Sequence, residues 1–197
     1  VEATAIQSKN FTWKVGYNVT FNDSEITKLT AKYNPDYPGL NAGSANYGSN
    51  STVLQKDQVG QLPKTFWLYQ QVYDANGKPI QNAFVDRNND GVITEADRYF
   101  TGKSPMAKTF MGFSSQLIYK NWDLGFNLRA SLGNYVYNAL EADNCTTDSF
   151  GNQGVISNYY KGIYRTGFTK ISRTEQRASD LFLENASFLK MDNITLG

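Results

Sequence analysis

The sequence predicts an all-β chain built from antiparallel strands, and three observations support that prediction. Residues that favour turns and strands are abundant, with 20 Asn and 16 Gly among 197 residues. Several segments alternate apolar and polar residues, which is the period of a strand with one apolar and one polar face. The sequence contains neither a coiled-coil heptad nor an apolar run of about 18 residues, the length of a membrane-spanning helix.

Residues 11–21 and 122–132 are the clearest predicted strands, because an apolar residue occupies every second position in each. A third alternating segment covers residues 110–120. Its last apolar residue is Tyr119, and only Lys120-Asn121 lies between this residue and Trp122, so the pair of segments is predicted to form an antiparallel hairpin with a tight turn.

The last predicted strand, residues 187–197, changes phase part of the way along. Leu189 and Met191 share one face, but after Asp192-Asn193 the apolar positions become Ile194 and Leu196. An extra residue in one strand of a pair produces such a shift, so a β-bulge is predicted there.

Two long polar stretches, residues 22–109 and 133–185, connect these strands and are interpreted as loops. Loops of that length are rare in compact soluble domains. A short strand is expected within the first stretch, between Phe66 and Tyr73.

The length of the strands matches the thickness of a membrane. Eleven residues span about 36 Å, and a tilt near 45° reduces the height to about 25 Å, the apolar band of an outer-membrane barrel. Ordinary strands are about half that long. Phe11, Phe21 and Trp122 lie at strand ends, where a barrel carries its aromatic girdles. A soluble sandwich would bury the same rows against a second sheet, and the pattern alone leaves both folds open.

Composition excludes several classes of function. With 19 basic and 18 acidic residues the net charge is +1, which removes the usual electrostatic case for nucleic acid or anionic lipid as the main partner. The sequence has no histidine, so Ser-His-Asp and Cys-His catalysis and His-ligated zinc are excluded. Cys145 cannot form an internal disulfide and is interpreted as an incidental residue of a polar loop. Because the sequence starts at Val1 and stops within an alternating pattern, it is interpreted as a piece of a longer protein.

The sharpest local motif covers residues 86–97. Oxygen-bearing side chains occupy positions one, three and five of the loop, glycine occupies position six, and position twelve is a carboxylate. This spacing wraps a hard cation in oxygens, and a flexible loop with six or seven of them suits calcium better than magnesium. The predicted ligands are Asp86, Asn88, Asp90, Val92 through its carbonyl, Thr94 and Asp97.

Two features of this motif depart from a paired calcium sensor. Position twelve is Asp97, one methylene shorter than the usual glutamate, and the flank at residues 80–85 reads as extended rather than helical. The prediction is therefore an isolated calcium loop that fixes a long connection. The alternative is a metal-free turn rich in Asp and Asn.

Weaker candidates lie in the second polar stretch. Glu141, Asp143 and Asp148 resemble an acid/base set for glycoside hydrolysis, but nothing in the sequence holds their spacing, and they are interpreted as solvated loop charges. Aromatic residues there are suited to stacking on sugar rings or packing against a partner; they are Tyr159, Tyr160 and Tyr164.

Taken together in this order, the motifs resemble the C-terminal barrel region of SusC/RagA-type TonB-dependent outer-membrane transporters. The resemblance covers most of the chain. The segments that carry it are residues 11–13, 25–29, 60–63, 86–97 with Gly102 and Pro105, 119–124, 133–138 and 188–197.

The resemblance implies a large antiparallel transmembrane β-barrel with long extracellular loops and an N-terminal plug that this sequence does not include. Such a barrel imports nutrients, glycan oligomers or peptides, beneath a SusD-like surface lipoprotein, with TonB supplying energy through the missing N-terminal region. It implies no catalytic residues and no nucleic-acid partner. It also implies a bacterial outer-membrane location, the bilayer around the strands, and residues 22–109 and 133–185 facing the cell exterior.

A second hypothesis is a secreted soluble β module that uses calcium to hold a carbohydrate- or protein-binding loop. The two hypotheses differ in what covers the apolar rows of the long strands. A transporter wall exposes them to lipid, whereas a soluble module buries them in a protein core.

Overall fold

The structure is a computed structural model, and it describes residues 1–30, 32, 34, 37–47, 50–147, 160–169 and 174–197. The strands are β1 (Glu2–Gln7), β2 (Phe11–Phe21), β3 (Leu40–Tyr47), β4 (Asn50–Asp57), β5 (Thr65–Leu68), β6 (Gln71–Tyr73), β7 (Pro79–Phe84), β8 (Tyr99–Phe100), β9 (Thr109–Tyr119), β10 (Trp122–Leu132), β11 (Tyr135–Tyr137), β12 (Leu183–Asn185) and β13 (Phe188–Leu196). The helices are α1 (Ala139–Asn144) and α2 (Gly162–Thr166), with 3₁₀ turns at Glu95–Asp97, Thr174–Ala178 and Asp180–Phe182. In the part of the chain described, no helix is long and apolar enough to cross a membrane.

The chain divides into two compact units. The first contains Val1–Asp23, Met106–Tyr135 and Asn185–Gly197, and the second contains Ser24–Pro105 and Val136–Glu184. The long alternating segments therefore fall in the first unit, and most of the two polar stretches fall in the second.

All the long strands of the first unit belong to one antiparallel sheet, in the order β1-β2-β9-β10-β13. β2 and β9 pair over eleven residues, from Phe11 opposite Tyr119 to Phe21 opposite Thr109. β9 and β10 form the predicted hairpin, closed by Lys120-Asn121. Lys120 has a left-handed φ of 54°, as two-residue hairpin turns require.

The predicted bulge in the last strand is confirmed. On β13, Asn193 lies opposite Asn127 of β10, but Met191 lies opposite the next residue, Leu128. Asp192 is therefore the extra residue. It brings Ile194 onto the same face as Met191, because the side chains of a bulged strand resume their alternation one position later.

One face of this sheet is apolar across all five strands. The register sets Trp13 beside Leu117 and Leu124, and Tyr17 beside Phe113 and Leu128. These side chains are not covered within the unit, since all of its long strands lie in a single sheet. Well-exposed members of the face are Tyr17, Phe21, Met111, Trp122, Leu189, Met191, Ile194 and Leu196.

The opposite face is polar and crowded. A Cβ added at Gly16 would lie 2.6 Å from the Ser114 hydroxyl, and one at Gly112 would lie 2.9 Å from the Asn18 amide. Small residues therefore let the strands approach closely on this side. Polar contacts cross it as well: Asn127 Nδ2 donates to Asn193 Oδ1 over 2.8 Å. Apolar exceptions on this face are Phe110, Ile118 and Phe188.

The second unit shows that the stretches interpreted as loops are largely folded. Residues 22–109 contain β3 to β8, in a four-stranded sheet of order β3-β4-β5-β8 and a two-stranded sheet of β6 and β7. In place of the single short strand expected between Phe66 and Tyr73, the structure has two, β5 and β6, which belong to different sheets. This unit has its own apolar core; its buried aromatic and aliphatic members include Leu68, Phe66, Phe168 and Phe182.

A buried glutamine connects distant segments of the second unit. Gln71 Nε2 donates to the carbonyls of Val72, Ile80 and Ala83. Its Oε1 accepts hydrogen bonds from Gln176 Nε2 and Ser179 Oγ, at 3.3 and 3.1 Å. Every polar atom of the amide is thus paired, as burial of a polar side chain requires.

Candidate functional site

The predicted calcium loop follows β7 and curls around its acidic side chains. Asp86 accepts hydrogen bonds from the backbone N–H groups of Asp90 and Gly91, at 3.3 and 2.8 Å. Asp90 in turn accepts from the N–H of Val92 at 2.8 Å. Asn88 Oδ1 accepts from the N–H of Asp90 at 3.1 Å. The backbone therefore wraps with the side-chain oxygens directed inward.

Two left-handed residues make this curl possible. Asn89 has φ 59° and Gly91 has φ 80°. Asn tolerates that conformation and Gly adopts it without steric cost, so the sharp turn expected at loop position six is present.

The end of the loop is fixed by Thr94 and Asp97. Thr94 caps the 3₁₀ turn Glu95–Asp97, and Asp97 Oδ2 accepts from the Thr94 N–H at 2.8 Å, so the two form a capping box. Asp97 Oδ1 also accepts from the N–H of Arg87 at 2.9 Å. The bond from the Thr94 N–H, together with that from Arg87, holds the pKa of the buried Asp97 carboxyl below its usual value, although burial acts in the opposite direction.

The donor set of the loop suits a hard cation. The six predicted ligands supply three carboxylates, an amide oxygen, a hydroxyl and a backbone carbonyl within twelve residues. Among the described residues, no three His, Cys, Asp or Glu side chains are grouped closely enough to hold a metal by themselves. A cation here would therefore depend on Asn88, Thr94 and the Val92 carbonyl as well as on the acids.

Residues next to the predicted ligands anchor the loop to the rest of the second unit. The Arg87 guanidinium lies 4.8 Å from the centre of the Tyr99 ring, and Tyr99 donates to Asp180 over 2.7 Å. The Arg98 guanidinium lies 4.7 Å from the centre of the Trp67 ring, and Arg98 Nη1 donates to the Val53 carbonyl. Burial is the main cause that raises the pKa of Tyr99, and the hydrogen bond to Asp180 raises it further. The Tyr99 hydroxyl therefore stays a donor at physiological pH.

The interpretation of the acids in 133–185 as solvated loop charges was wrong for Glu141, whereas the Asp143 side chain is 38% exposed. Glu141 is buried in α1 and accepts bonds from Nε and Nη2 of Arg165, at 3.0 and 2.5 Å. Asp143 pairs with Arg177 at 2.8 Å. Asp148 lies outside the described residues. Both described acids are held by arginines, and no acid/base pair for glycoside hydrolysis is assembled from them.

Cys145 is also placed differently from the prediction. It is fully buried at the end of α1, not exposed in a polar loop. Burial raises the pKa of its thiol to about 12, so the thiolate needed for nucleophilic attack is not populated.

The aromatic candidates of this stretch are only partly described. Tyr164 is 82% exposed on α2, Tyr160 is half-buried, and Tyr159 lies outside the described residues. A groove of about 520 Å³ lies on the polar face of the first unit instead. Its polar lining includes Lys14, Gln116, Asp123, Asn127 and Asn193.

The chain is similar in sequence to known TonB-dependent receptors, although not to any family model. No protein-family model matches the chain. The chain is 43% identical over 199 residues to the TonB-dependent receptor SusC of Bacteroides thetaiotaomicron, an alignment that covers all of the chain and 19% of that protein. It is 24% identical over 213 residues to the TonB-dependent receptor P3 of Formosa agariphila, covering all of the chain and 20% of that protein.

Solved structures give the same fold. The RagAB peptide transporter matches with a TM-score of 0.62 and 20% identity, covering 99% of this chain and 21% of that one. The RagAB peptide importer in its "closed-closed" state matches with a TM-score of 0.60 and 19% identity, with the same coverage. The chain thus belongs to the TonB-dependent receptors. Within that class it is of the SusC/RagA type. It spans about a fifth of the length of the relatives it matches.

Proposed function

We propose that this chain forms part of the wall of a large transmembrane β-barrel in a bacterial outer membrane. The observation that carries the proposal is the sheet of the first unit, which has an uncovered apolar face and a polar opposite face. Strands of eleven residues, such as β2, β9 and β10, have the length that crosses the apolar band of such a membrane. The apolar face then contacts lipid, and the polar face lines the aqueous interior.

The barrel would import nutrients, and its proposed partners are those expected for a TonB-dependent receptor of the SusC/RagA type. Glycan oligomers or peptides are the proposed cargo, a SusD-like lipoprotein covers the outer opening, and TonB acts through a region outside this chain. The RagAB transporter, which has the same fold, carries peptides, and this is why peptides are included beside glycan oligomers in the proposal. The chain itself acts as wall and binding surface, and the second unit, with the loop 86–97, faces the cell exterior.

The proposed wall is tested by accessibility along β2 in the full-length receptor reconstituted in lipid. Nitroxide labels at Val15, Tyr17 and Val19 should be relaxed mainly by oxygen, which concentrates in the bilayer. Labels at Lys14, Asn18 and Thr20 should be relaxed mainly by a water-soluble nickel chelate. This alternation with period two is the expected result.

A different pattern of accessibility would overturn the proposal. If both sets of positions respond to the nickel chelate alone, the sheet is not in a bilayer. If the odd-numbered set responds to neither reagent, its side chains are buried in protein. That result would favour the second hypothesis, a secreted soluble β module that uses calcium to hold a binding loop.

We further propose that the loop 86–97 binds calcium through Asp86, Asn88, Asp90, the Val92 carbonyl, Thr94 and Asp97. The inward-directed oxygens of Asp86 and Asp90 support this assignment. A dissociation constant of about 10⁻⁴–10⁻³ M is expected, because extracellular calcium modules work in that range. The bound ion would stabilise only the folded loop, since an unfolded chain does not hold its ligands together.

Calcium binding is tested on the full-length receptor by limited proteolysis during a calcium titration. Cleavage within residues 86–97 should fall as calcium rises through the millimolar range. Asp90→Asn should raise the required concentration about tenfold, because it removes one ligand charge. Asp74→Asn is the matched control, since Asp74 accepts two backbone N–H bonds in a similar turn without the calcium spacing. Equal effects of the two variants, or no protection at about 10 mM calcium, would contradict the assignment.

A further inference from the structure

Two short turns lie side by side at one end of the five-stranded sheet. Residues 8–10 connect β1 to β2, and Lys120-Asn121 connects β9 to β10. The Lys120 N–H donates to the Asn10 carbonyl over 2.9 Å, so the turns are joined directly. Each turn presents an exposed lysine followed by an asparagine, Lys9 in one and Lys120 in the other.

A row of aromatic side chains begins immediately beside these turns. Phe11 lies opposite Tyr119, and Tyr119 lies opposite Trp122, all on the apolar face. Tyr119 is 52% exposed and Trp122 is 64% exposed. The Lys120 ammonium lies 5.4 Å from the centre of the Tyr119 ring. An exposed aromatic row edged by cations is the composition expected at a membrane–water interface.

Neither Lys9 nor Lys120 forms an ion pair with an acid in the part of the chain that the structure describes. The ion pairs found among the described residues are made by Arg129, Arg165 and Arg177. The acid nearest to Lys120 along the chain, Asp123, follows Trp122 and therefore projects from the polar face, and the acid nearest to Lys9 is Glu2, at the far end of β1. The chain as a whole has a net charge of only +1, so this positive charge is a local feature.

We propose that this end of the sheet binds the headgroup phosphate of a glycerophospholipid. The inference rests on the proposed membrane wall. Lys9 and Lys120 would contact the phosphate oxygens, Tyr119 and Trp122 would lie at the level of the headgroup and glycerol, and the acyl chains would run along the apolar face. An ammonium near an anionic lipid surface contributes about 1 kcal/mol, about fivefold in binding, for each lysine.

The test is site-specific photo-crosslinking in the full-length receptor. A photoreactive phenylalanine analogue replaces Asn121 at the turn, and another replaces Tyr17 on the apolar face. The receptor is titrated with phosphatidylglycerol in detergent, and crosslinked lipid is identified by mass spectrometry. Crosslinking at position 121 should fall about fivefold with either Lys9→Gln or Lys120→Gln. Lys108→Gln is the control, because Lys108 lies at the opposite end of the sheet, beside the Leu132 carbonyl to which its N–H donates.

Each other outcome overturns a defined part of the inference. Crosslinking at 121 that ignores both lysine variants, or that falls equally with Lys108→Gln, removes the lysine site. Loss of the crosslink with about 10 mM inorganic phosphate points to a free anion instead of a lipid. Crosslinking at 17 but not at 121 refutes this site and leaves the membrane wall intact, whereas lipid at neither position refutes the wall too. Heat-dependent gel mobility checks that each variant is folded.

Discussion

Asp97 joins the two ends of the candidate calcium loop. Its two carboxylate oxygens accept the N–H of Arg87, at the start of the loop, and the N–H of Thr94, near its end. Both bonds favour the ionised carboxyl, so its pKa lies below the value in an unfolded chain. The loop is therefore closed by a charge as well as by the backbone.

We expect the loop to open on acidification in calcium-free buffer. Because the folded-state pKa of Asp97 is depressed, its stabilising contribution is complete above the unfolded pKa of about 4 and is lost as pH falls through the folded value. Hydrogen exchange of residues 86–97 in the full-length receptor, measured from about pH 6 to pH 3 and corrected for intrinsic rates, reports this opening. Asp97→Asn keeps the side-chain shape but cannot ionise. An identical pH dependence in that variant would show that another group controls the loop.

At the residue scale, the sequence predicts the motif but not its anchors. Spacing alone identifies positions one to twelve, because a calcium loop is local in the chain. The anchors are contacts over long separations: Arg98 with Val53, 45 residues away, and Tyr99 with Asp180, 81 residues away. A pattern of neighbouring residues in the sequence does not predict contacts between residues so far apart in the chain.

At the scale of the element, the eleven-residue strands are defined by the contrast between their two faces. On β2, Tyr17 lies on the apolar face and Asn18 on the polar face, near the middle of the strand. Neighbouring residues thus face two different solvents in the proposed barrel. The same mutation should therefore be costly at one position and tolerated at its neighbour.

We expect Tyr17→Lys to impair folding of the full-length receptor into lipid far more than Asn18→Lys. A lysine on the lipid face near the midplane costs about 2–4 kcal/mol, whereas a lysine on the interior face stays in water. The folded fraction, measured by heat-dependent gel mobility after refolding into vesicles, should fall for the first variant and change little for the second. Similar folded fractions for both would argue against a lipid-facing Tyr17.

The long strands were predictable because alternation and length act together. β2 and β10 have the predicted bounds, and the phase change in the last segment predicts the bulge at Asp192. Short strands of the second unit carry no such pattern. β5 is buried on both faces, with three of its four residues fully buried, so its residues do not alternate. Only its apolar character is visible in the sequence.

At the scale of the whole molecule, each of the two units is held by its own contacts. The second unit is assembled from two separate stretches of chain, and Gln71 connects them through Gln176 and Ser179. Such pairing between segments more than 100 residues apart explains why the two stretches read as loops when each is taken alone.

Gln71→Ala is expected to destabilise the second unit selectively. The amide has five hydrogen-bond partners, three of them sharing its two N–H groups, and at about 0.5–1.5 kcal/mol for a bond a loss of about 3 kcal/mol is expected after relaxation. Hydrogen exchange should accelerate in β6, β7 and residues 174–182. The adjacent Gln70→Ala loses one exposed bond to Arg87 and should cost about 0.5 kcal/mol. Faster exchange in β9 and β10 would show that the units do not unfold separately.

The order of the first sheet has a consequence for handling the protein in solution. β1 and β13 are its outermost strands, so each has one margin of amide and carbonyl groups that no strand of this unit pairs with. Such margins are templates for strands from other molecules. The apolar face lies between these two edges. Isolated copies of the chain in water should therefore pair edge to edge and precipitate as concentration rises. Neighbouring strands at the two edges, and detergent on the apolar face, should prevent this.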